Sequence, residues 1–478
     1  MGRCLVLWVV TVCGFFTGKA QTRQDYLEPD YWKKQGLEVI LPPWTLNAQD
    51  PIGGFYANLN RRWIPQKEAV KFPSMLSRHL FSYTAAFMLS GDLEYLTIAD
   101  SLKNYLIKYG WDTQFGGWYD AISADGKPVE LTKSTFVQVY ALTGLVLYYA
   151  ATHDSHAMDY IIKTNQLLEN KAWDEEYGGY YNQMHQNWAI KDDRKSFSSL
   201  ITPASGYLSY LYLSTRKAVY RTQAERIMNT VLTKARDTET GWVRENYTRT
   251  WEIITSEAAE PEINLGHNLE TAWMWLRLFR LNGREDYLEA AQQMSAKLAA
   301  QGFDDETGMW AARYDPRTKN RGLFTYWWIQ AYGLMFDVYQ FKTTGIEPFI
   351  ERFEQGAGFW DNYVLDHEFG DTHFMVDRNG KALESLKANQ FKTSYHSVEN
   401  ALLLYWYISA WVKQKPITVY FFVPKQGGEI YFPFLIEDER LTIKSAKFSN
   451  GRQAKTIQRG RGVATAPDQG GILEVIIR

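Results

Sequence analysis

The chain has 478 residues, a formal net charge of -2 and a pI of about 6.5. No stretch of clustered Lys and Arg stands out, so the charge pattern argues against nucleic acid and acidic lipid as partners. Aromatic residues make up 15% of the sequence, with 18 Trp, and flat rings with a polar edge suit the C–H faces of sugars, so a carbohydrate partner is expected.

Residues 1–20 are predicted to be a signal peptide, because an apolar run precedes a cleavage site of the small-x-small type ending at Ala20. The mature chain is therefore predicted to be secreted or periplasmic. Both cysteines, Cys4 and Cys13, lie in this segment. Lipid attachment at Cys13 is the less favoured alternative, since Val12 is bulkier than lipoprotein signals prefer. No later run is long and apolar enough to cross a bilayer.

Six loops that combine glycine with an aromatic residue recur at intervals of 63, 62, 63, 67 and 62 residues. They begin at Gly53, Gly116, Gly178, Gly241, Gly308 and Gly370. Each interval has room for two helices of roughly four turns. The segment that begins at Ser134 is apolar almost all round, and the next segment, which begins at Ser155, is apolar on one side only. The pattern predicts an all-α (α/α)6 toroid over residues 21–414, with the loops at one mouth of a central cavity.

From about Pro416 the pattern changes to that of strands, with segments such as ITVYFFV and ILEVIIR. Residues 415–478 are therefore predicted to form a small β-rich C-terminal domain. We expect this domain to pack against the helical domain, and carbohydrate binding is the alternative role.

Two of the eight histidines, His267 and His396, stand at the same phase of the repeat, each 26 residues after its motif glycine. Both are predicted in the first turn of an inner helix, on the cavity side, with Arg78 at the equivalent level in the first repeat. Glu270 and Glu399 follow the histidines by three residues, on the same helical face. One imidazole can remove a proton from carbon while the other delivers one, and a guanidinium can stabilise the enolate. A pair of structural histidines is the alternative.

Two motifs, INLGHNLETAWM at Ile263 and KANQFKTSYHSVENALL at Lys387, resemble the histidine motifs of the N-acylglucosamine 2-epimerase and cellobiose 2-epimerase superfamily. The similarity extends over roughly residues 25 to 413 and includes KFPSMLSRHLFSY at Lys71 and FTYWWIQAYGLM at Phe324. The resemblance implies an (α/α)6 barrel that epimerises or isomerises a sugar at C2 without a metal or another cofactor.

Motif matching also assigns roles. It implies His267 and His396 as the acid/base pair, Arg78 as the enolate stabiliser and Glu270 as a partner in the His267 network. The predicted substrate-binding residues are Trp273, Trp328, Tyr332, Phe391, Trp118 and Tyr140.

The chain also departs from the pattern of the superfamily. Leu200 and Thr202 stand where histidines are expected on the third inner helix. Tyr332 replaces a glutamate that helps to open the sugar ring, and Phe391 replaces a tryptophan. The pair that moves the proton is thus retained while much of its surroundings differs, which points to a changed substrate or reaction.

Three functions remain open from the sequence. The first is a secreted sugar 2-epimerase or aldose–ketose isomerase. The second is bond cleavage on the same toroid. A glycoside hydrolase would use two carboxylates, for which Glu270, Asp120, Glu399 and Asp192 are the candidates. A polysaccharide lyase would instead use a histidine as the base beside a uronate carboxylate, with Arg78 neutralising the acid. The third is a non-catalytic sugar-binding protein. The sequence carries no signal for an oligomeric state.

Overall fold

The computed structural model describes residues 25–254, 262–425, 428–431, 436–457, 460–466 and 469–478. The predicted signal peptide, with both cysteines, lies outside these residues. In chain order the helices are α1 (Pro29–Lys34), α2 (Leu41–Asn47), α3 (Pro73–Ser90), α4 (Leu93–Tyr105), α5 (Thr135–Thr152), α6 (Ser155–Leu167), α7 (Phe197–Pro203), α8 (Ser209–Thr215), α9 (Ala218–Thr230), α10 (Leu265–Asn282), α11 (Glu285–Gly302), α12 (Trp327–Thr344), α13 (Pro348–Phe359) and α14 (Tyr395–Tyr407).

The predicted alternation of buried and half-exposed helices is confirmed. The buried helices are α3, α5, α7 with α8, α10, α12 and α14, and each packs against the next one in the chain. The last of them, α14, packs against the first, α3, so the contacts run in a closed order. The outer helices α4, α6, α9, α11 and α13 each pack on the buried helix before them, and α1 packs on α14. This is the order that the predicted toroid requires.

One described helix, α5, is long and apolar enough to cross a bilayer by length and composition alone. In the structure 83% of its residues are buried, because α5 packs against the neighbouring buried helices α3, α7 and α8.

Short strands lie in the loops between the helix pairs. They are β1 (Ala121–Ile122), β2 (Pro128–Glu130), β3 (Lys133–Ser134), β4 (Gln183–Met184), β5 (Ile190–Asp192), β6 (Lys195–Ser196), β7 (Asn246–Tyr247), β8 (Ile263–Asn264), β9 (Phe303–Asp304), β10 (Met309–Trp310), β11 (Arg313–Asp315), β12 (Asn320–Arg321), β13 (Phe324–Tyr326), β14 (Met375–Asp377) and β15 (Ala382–Glu384).

These strands link each repeat to the following one. The strand before a buried helix pairs antiparallel with a strand of the next loop, as in β3 with β4, β6 with β7, β8 with β11 and β13 with β14. A bridge between Leu59 and Ala388 connects the first loop to the sixth. The loops are therefore joined around one mouth in the same closed order as the helices.

In four of the six loops an aspartate at the start ties the loop to the segment that begins the following buried helix. In four repeats a lysine 21 residues later forms an ion pair with this aspartate, and both side chains are buried. The pairs are Asp50–Lys71, Asp112–Lys133, Asp174–Lys195 and Asp366–Lys387, with N–O distances of 2.7, 3.0, 3.0 and 2.9 Å. Because a buried charge is tolerated only when paired, these pairs hold the four loops in a defined place at the cavity mouth.

The repeated glycines are explained by backbone conformation and by crowding. Gly117 has φ of 78°, in the left-handed region that favours glycine, and a Cβ there would lie 2.4 Å from the ring of Trp188. The loop can therefore turn tightly under the neighbouring aromatic side chain only if this position has no side chain.

The C-terminal region forms two three-stranded antiparallel sheets, in the orders β16-β21-β18 and β17-β20-β19. Their strands are β16 (Ile417–Val423), β17 (Gly428–Tyr431), β18 (Ile443–Phe448), β19 (Lys455–Ile457), β20 (Gly462–Thr465) and β21 (Gly471–Ile477). Strand β16 packs against α3 and α5. Its side chains alternate between buried and half-buried, because every second residue faces the helices.

Between the strands, Glu437 inserts into the helical domain. Its carboxylate accepts hydrogen bonds from Arg277 Nε at 2.8 Å and from the Tyr339 hydroxyl at 2.9 Å, and both charged side chains are fully buried. Arg277 lies ten residues after His267 on α10, about 15 Å along the helix axis. The C-terminal region therefore covers the end of the helical ring opposite the end that carries His267.

Candidate active site

A cavity of about 300 Å³ opens at the N-terminal ends of the buried helices. Eight residues predicted from the sequence line it, namely Arg78, His267, Glu270, His396, Tyr140, Trp328, Tyr332 and Phe391. Five further lining residues were not predicted, and they are Phe136, Ser198, Tyr326, Trp327 and Phe374. Eight aromatic rings thus share the wall with a small polar group of two imidazoles, one guanidinium and one carboxyl.

His267 is held on three sides. Asn264 caps the N-terminus of α10 by accepting from the His267 amide at 3.1 Å, which places the imidazole in the first turn. The ring stacks on Phe197 with centroids 3.9 Å apart, and Trp328 lies 5.2 Å away. Nδ1 lies 2.8 and 2.9 Å from the two carboxylate oxygens of Glu245. Burial lowers the pKa of His267, but the carboxylates of Glu245 and Glu270 outweigh that effect and raise it above its ordinary value.

His396 has a different environment. It lies in the first turn of α14, and its ring is 6.1 Å from Trp328 and 5.3 Å from Tyr332. Nδ1 is 3.8 Å from Glu399, too far for a hydrogen bond. Burial lowers the pKa of His396, Glu399 offsets part of that, and the positive charges of Arg78 and Lys392 lower it further. The net pKa lies below the ordinary value, so His396 is neutral at pH 7.

Arg78 is fixed by backbone carbonyls. Its guanidinium donates to the carbonyl oxygens of Ser74, Phe391 and Gln390, at 3.1, 2.8 and 2.5 Å. It also lies 4.8 Å from the centre of the Tyr140 ring. No ion pair is recorded for this buried cation within the part of the chain that the structure describes. Since a guanidinium has five N–H groups, two remain for a ligand in the cavity.

Glu270 is oriented by the third buried helix rather than by His267. Pro203 cannot donate a helical hydrogen bond, and a π-helical turn, Ala204–Leu208, follows it between α7 and α8. Ser205 on this turn donates to Glu270 at 2.5 Å. Burial raises the pKa of Glu270 to about 7, while His267 and Ser205 act in the opposite direction. The carboxyl is therefore partly protonated near neutral pH.

Two predicted substrate contacts are wrong. Trp118 is completely buried, donates to Thr164 at 3.0 Å and packs against the outer helix α6, so it does not line the cavity. Trp273 lies behind Tyr332, at 5.7 Å between ring centroids, and Arg277 stacks on it. Both were predicted as substrate-binding residues, Trp273 by motif matching, but only the packing shows which face of its element each ring occupies.

Glu245 is the main residue that the sequence analysis missed. Motif matching indicated Glu270 as a partner in the His267 network, and Glu270 does raise the pKa of His267, but the hydrogen-bond partner is Glu245, 22 residues earlier in the chain. A signal exists in the repeat, because Glu245 stands four residues after its motif glycine, where earlier repeats have Asp120 and Asn182. Asp120 and Asn182 also interact with the residue that begins a buried helix.

The described residues contain no group of three or more His, Cys, Asp or Glu side chains that could hold a metal ion.

A family model for N-acylglucosamine 2-epimerase matches residues 54–400. The chain belongs to the N-acylglucosamine 2-epimerase family. The match covers all the residues described above as lining the cavity, from Arg78 to His396.

The relatives of this family member are enzymes that act on sugars. A cellobiose 2-epimerase from Bacteroides fragilis is 24% identical, over 76% of this chain and 95% of the relative. A D-mannose isomerase from Marinomonas mediterranea is 22% identical, over 73% of this chain and 90% of the relative. The solved structure of a cellobiose 2-epimerase from Bacillus thermoamylovorans B4167 has a TM-score of 0.72 at 19% identity, and the match covers 79% of this chain and 98% of that one.

The positions at which this family member departs from the expected pattern lie in or beside the cavity. Tyr332 and Phe391 both line it. Phe391 is 51% exposed at the rim, and its carbonyl holds Arg78. Leu200 and Thr202 are buried on α7 behind the lining, where Thr202 interacts with the lining residue Tyr140. The departures therefore change the shape and polarity of the walls while the two histidines and the arginine stay in place.

Proposed function

We propose that this protein is a sugar 2-epimerase or aldose–ketose isomerase that moves a proton at C2 of a mono- or oligosaccharide. The observation that carries the proposal is the convergence of His267, His396 and Arg78 on one small cavity. Trp328 lies between the two imidazoles, within 5.2 and 6.1 Å of them. A sugar stacked on this ring would have one histidine near each side.

The two histidines differ in their protonation states, which suggests separate roles. His396 has a lowered pKa and offers a lone pair, so we assign it as the base that removes the proton from C2 of the open-chain sugar. Glu245 and Glu270 raise the pKa of His267 and so favour its protonated form, and we therefore assign it as the acid. Delivery of the His267 proton to the other face of C2 gives the epimer and leaves the two histidines with exchanged protonation states. In the ketose route His396 returns its proton to C1 while the O2 hydroxyl proton passes to O1, so the histidines end in the protonation states in which they began.

Arg78 would stabilise the intermediate. Removal of the C2 proton leaves an enediolate whose negative charge lies on the sugar oxygens, and the two N–H groups of Arg78 that remain would bind them. Because the three carbonyl contacts hold the guanidinium rigidly, little reorganisation accompanies formation of the charge. Glu270, with a pKa of about 7, can donate or accept a hydrogen bond to a sugar hydroxyl beside His267.

The hydrolase alternative is less well supported by the carboxylates. An inverting or retaining glycosidase needs two carboxyl groups on opposite sides of the bond it cleaves. Of the four candidates, Glu270 lines the cavity. Asp120 binds Ser134 at the start of α5, Asp192 binds Asn182 and Arg194, and Glu399 accepts from two tyrosines. All three thus have structural partners.

We further propose that the helical domain, residues 21–414, is an (α/α)6 toroid and that residues 415–478 close its far end. The closed order of helix contacts and the insertion of Glu437 support this proposal. Export through the signal peptide, to a secreted or periplasmic location, remains a proposal from the sequence.

Proton NMR in D2O tests the function. Purified mature protein would be incubated with a panel of mono- and oligosaccharides, uronate-containing ones included. We expect loss of the C2 proton signal and the appearance of an epimer or ketose with unchanged chain length. New reducing ends or unsaturated uronate signals would refute the proposal in favour of hydrolysis or elimination.

A further inference from the structure

The loop residue four positions after the motif glycine has the same structural role in two repeats. In the second repeat Asp120 accepts hydrogen bonds from Ser134, the N-cap of α5, at 2.9 Å from the amide and 2.7 Å from the hydroxyl. In the third repeat Asn182 accepts from Ser196, the N-cap of α7, at 2.9 Å. At both places the loop residue orients the residue that starts a buried helix.

In the fourth repeat the same position has a different partner. Asn264 caps α10 by itself, through the amide of His267. Glu245, one methylene longer than aspartate, extends past the cap to the imidazole three residues further on, with both oxygens within 2.9 Å of Nδ1. In this repeat the carboxylate therefore binds a candidate acid/base group instead of the residue that caps the helix.

We propose that Glu245 is a positioning residue that accepts the Nδ1 proton of His267 and so makes Nε2 the atom that exchanges a proton with the sugar. This inference rests on the proposed function. A carboxylate can only accept, so Nδ1 must carry hydrogen in both protonation states of the ring. Phe197 stacks on the ring at 3.9 Å and Trp328 lies 5.2 Å from it, and this packing restricts rotation of the imidazole.

The charges around His267 agree with this role. Glu245 belongs to the loop and Glu270 to α10 itself, and both raise the pKa of His267. From β11, Arg313 forms its ion pair with Glu262 at 2.9 Å. The neighbours on α7 and α12 that contact the ring, Phe197 and Trp328, are uncharged. Glu245 is therefore the negative group nearest to Nδ1, and the loss of its charge should be felt by His267 directly.

The test compares Glu245→Gln with the control Glu252→Gln, an exposed glutamate of the same loop. Both proteins would be labelled with ¹³C at histidine Cε1, and the eight histidines would be titrated by NMR, with His267→Asn to assign the His267 signal. We expect the His267 midpoint to fall by about one pH unit in Glu245→Gln, since a carboxylate in hydrogen-bond contact is replaced by a neutral amide. Glu252→Gln should leave it unchanged.

The second measurement is the rate of C2 proton exchange in D2O. Glu245→Gln should lower kcat about 10- to 100-fold, as is typical when the partner that orients a histidine is lost, with KM within twofold of wild type. Glu245→Ala, which also loses the acceptor, should lower kcat further. An unchanged His267 midpoint in Glu245→Gln would overturn the inference, and so would an equal loss in Glu252→Gln. Because the titration needs no substrate, it gives its answer even if no sugar is turned over.

Discussion

Replacement of Glu437 by glutamine tests whether the C-terminal region is held to the helical domain by a buried charge pair. Arg277 and Glu437 are both fully buried, with Nη2 and Nε of the arginine 2.6 and 2.8 Å from Oε1. The variant Glu437→Gln keeps the shape and an acceptor oxygen for Arg277, but it removes the negative charge. The guanidinium is then a buried cation without its counter-charge.

The expected cost follows from the burial of the pair. Breaking a buried ion pair by removal of one partner costs about 3–5 kcal/mol, and we expect about 3 kcal/mol because the amide oxygen still accepts from Arg277. Unfolding of a chain of 478 residues has an entropy of about 1 kcal/mol per kelvin at roughly 2.1 cal/mol/K per residue. The variant should therefore melt about 3 °C below wild type.

Differential scanning calorimetry of the purified protein measures this shift. The matched control is Glu439→Gln, two residues away and exposed, which removes the same charge without a buried partner. Its melting temperature should equal that of wild type. If Glu437→Gln melts no lower than Glu439→Gln, the pair does not stabilise the protein and the argument from burial is wrong.

The other predictions concern the cavity. His267→Asn and His396→Asn should each lower kcat/KM about 100- to 10,000-fold with unchanged circular dichroism, and full activity of either variant would remove that histidine from the mechanism. Arg78→Lys should lower kcat about 100-fold, since an ammonium cannot keep the three carbonyl contacts and also bind the enediolate; an unchanged kcat would contradict this role. Trp328→Phe should raise KM, whereas Trp118→Phe should lower the melting temperature and leave KM unchanged; the reverse pattern would refute the assigned places of these rings. The pH profile of kcat/KM should be bell-shaped, with the acidic limb below pH 6.5 as His396 gains a proton and the alkaline limb above pH 6.5 as His267 loses one. The residual activity of His396→Asn should lack the acidic limb and that of His267→Asn the alkaline limb. The reverse result would exchange the roles of acid and base.

The repeat predicted that three candidate residues lie at one level, and the structure places them in one cavity. His267 and His396 have the same phase, and a helix of known pitch after a loop of constant length brings both to the same level. Arg78 followed from the same argument. The prediction failed for Trp118 and Trp273, because a period assigns a level but not the face on which a ring packs.

Contacts between distant segments could not be predicted from the sequence for a different reason. Glu245 and His267 are 22 residues apart and lie on different elements, so their contact depends on how the loop folds over the start of α10. The pairing of Arg277 with Glu437 joins residues 160 apart. No periodic pattern includes such a pair, since it forms only when two independently folded regions pack together.

The number of repeats, the alternation of buried and half-exposed helices, and the common level of the two histidines and the arginine could be predicted from the sequence, because hydrophobic period and loop spacing are local properties of the chain. Packing between distant segments establishes which aromatic rings line the cavity, which carboxylate holds His267 and what differs between the two histidines. Protonation states depend on the burial of each ring and on the charges that packing brings near it, and those charges come from distant parts of the chain.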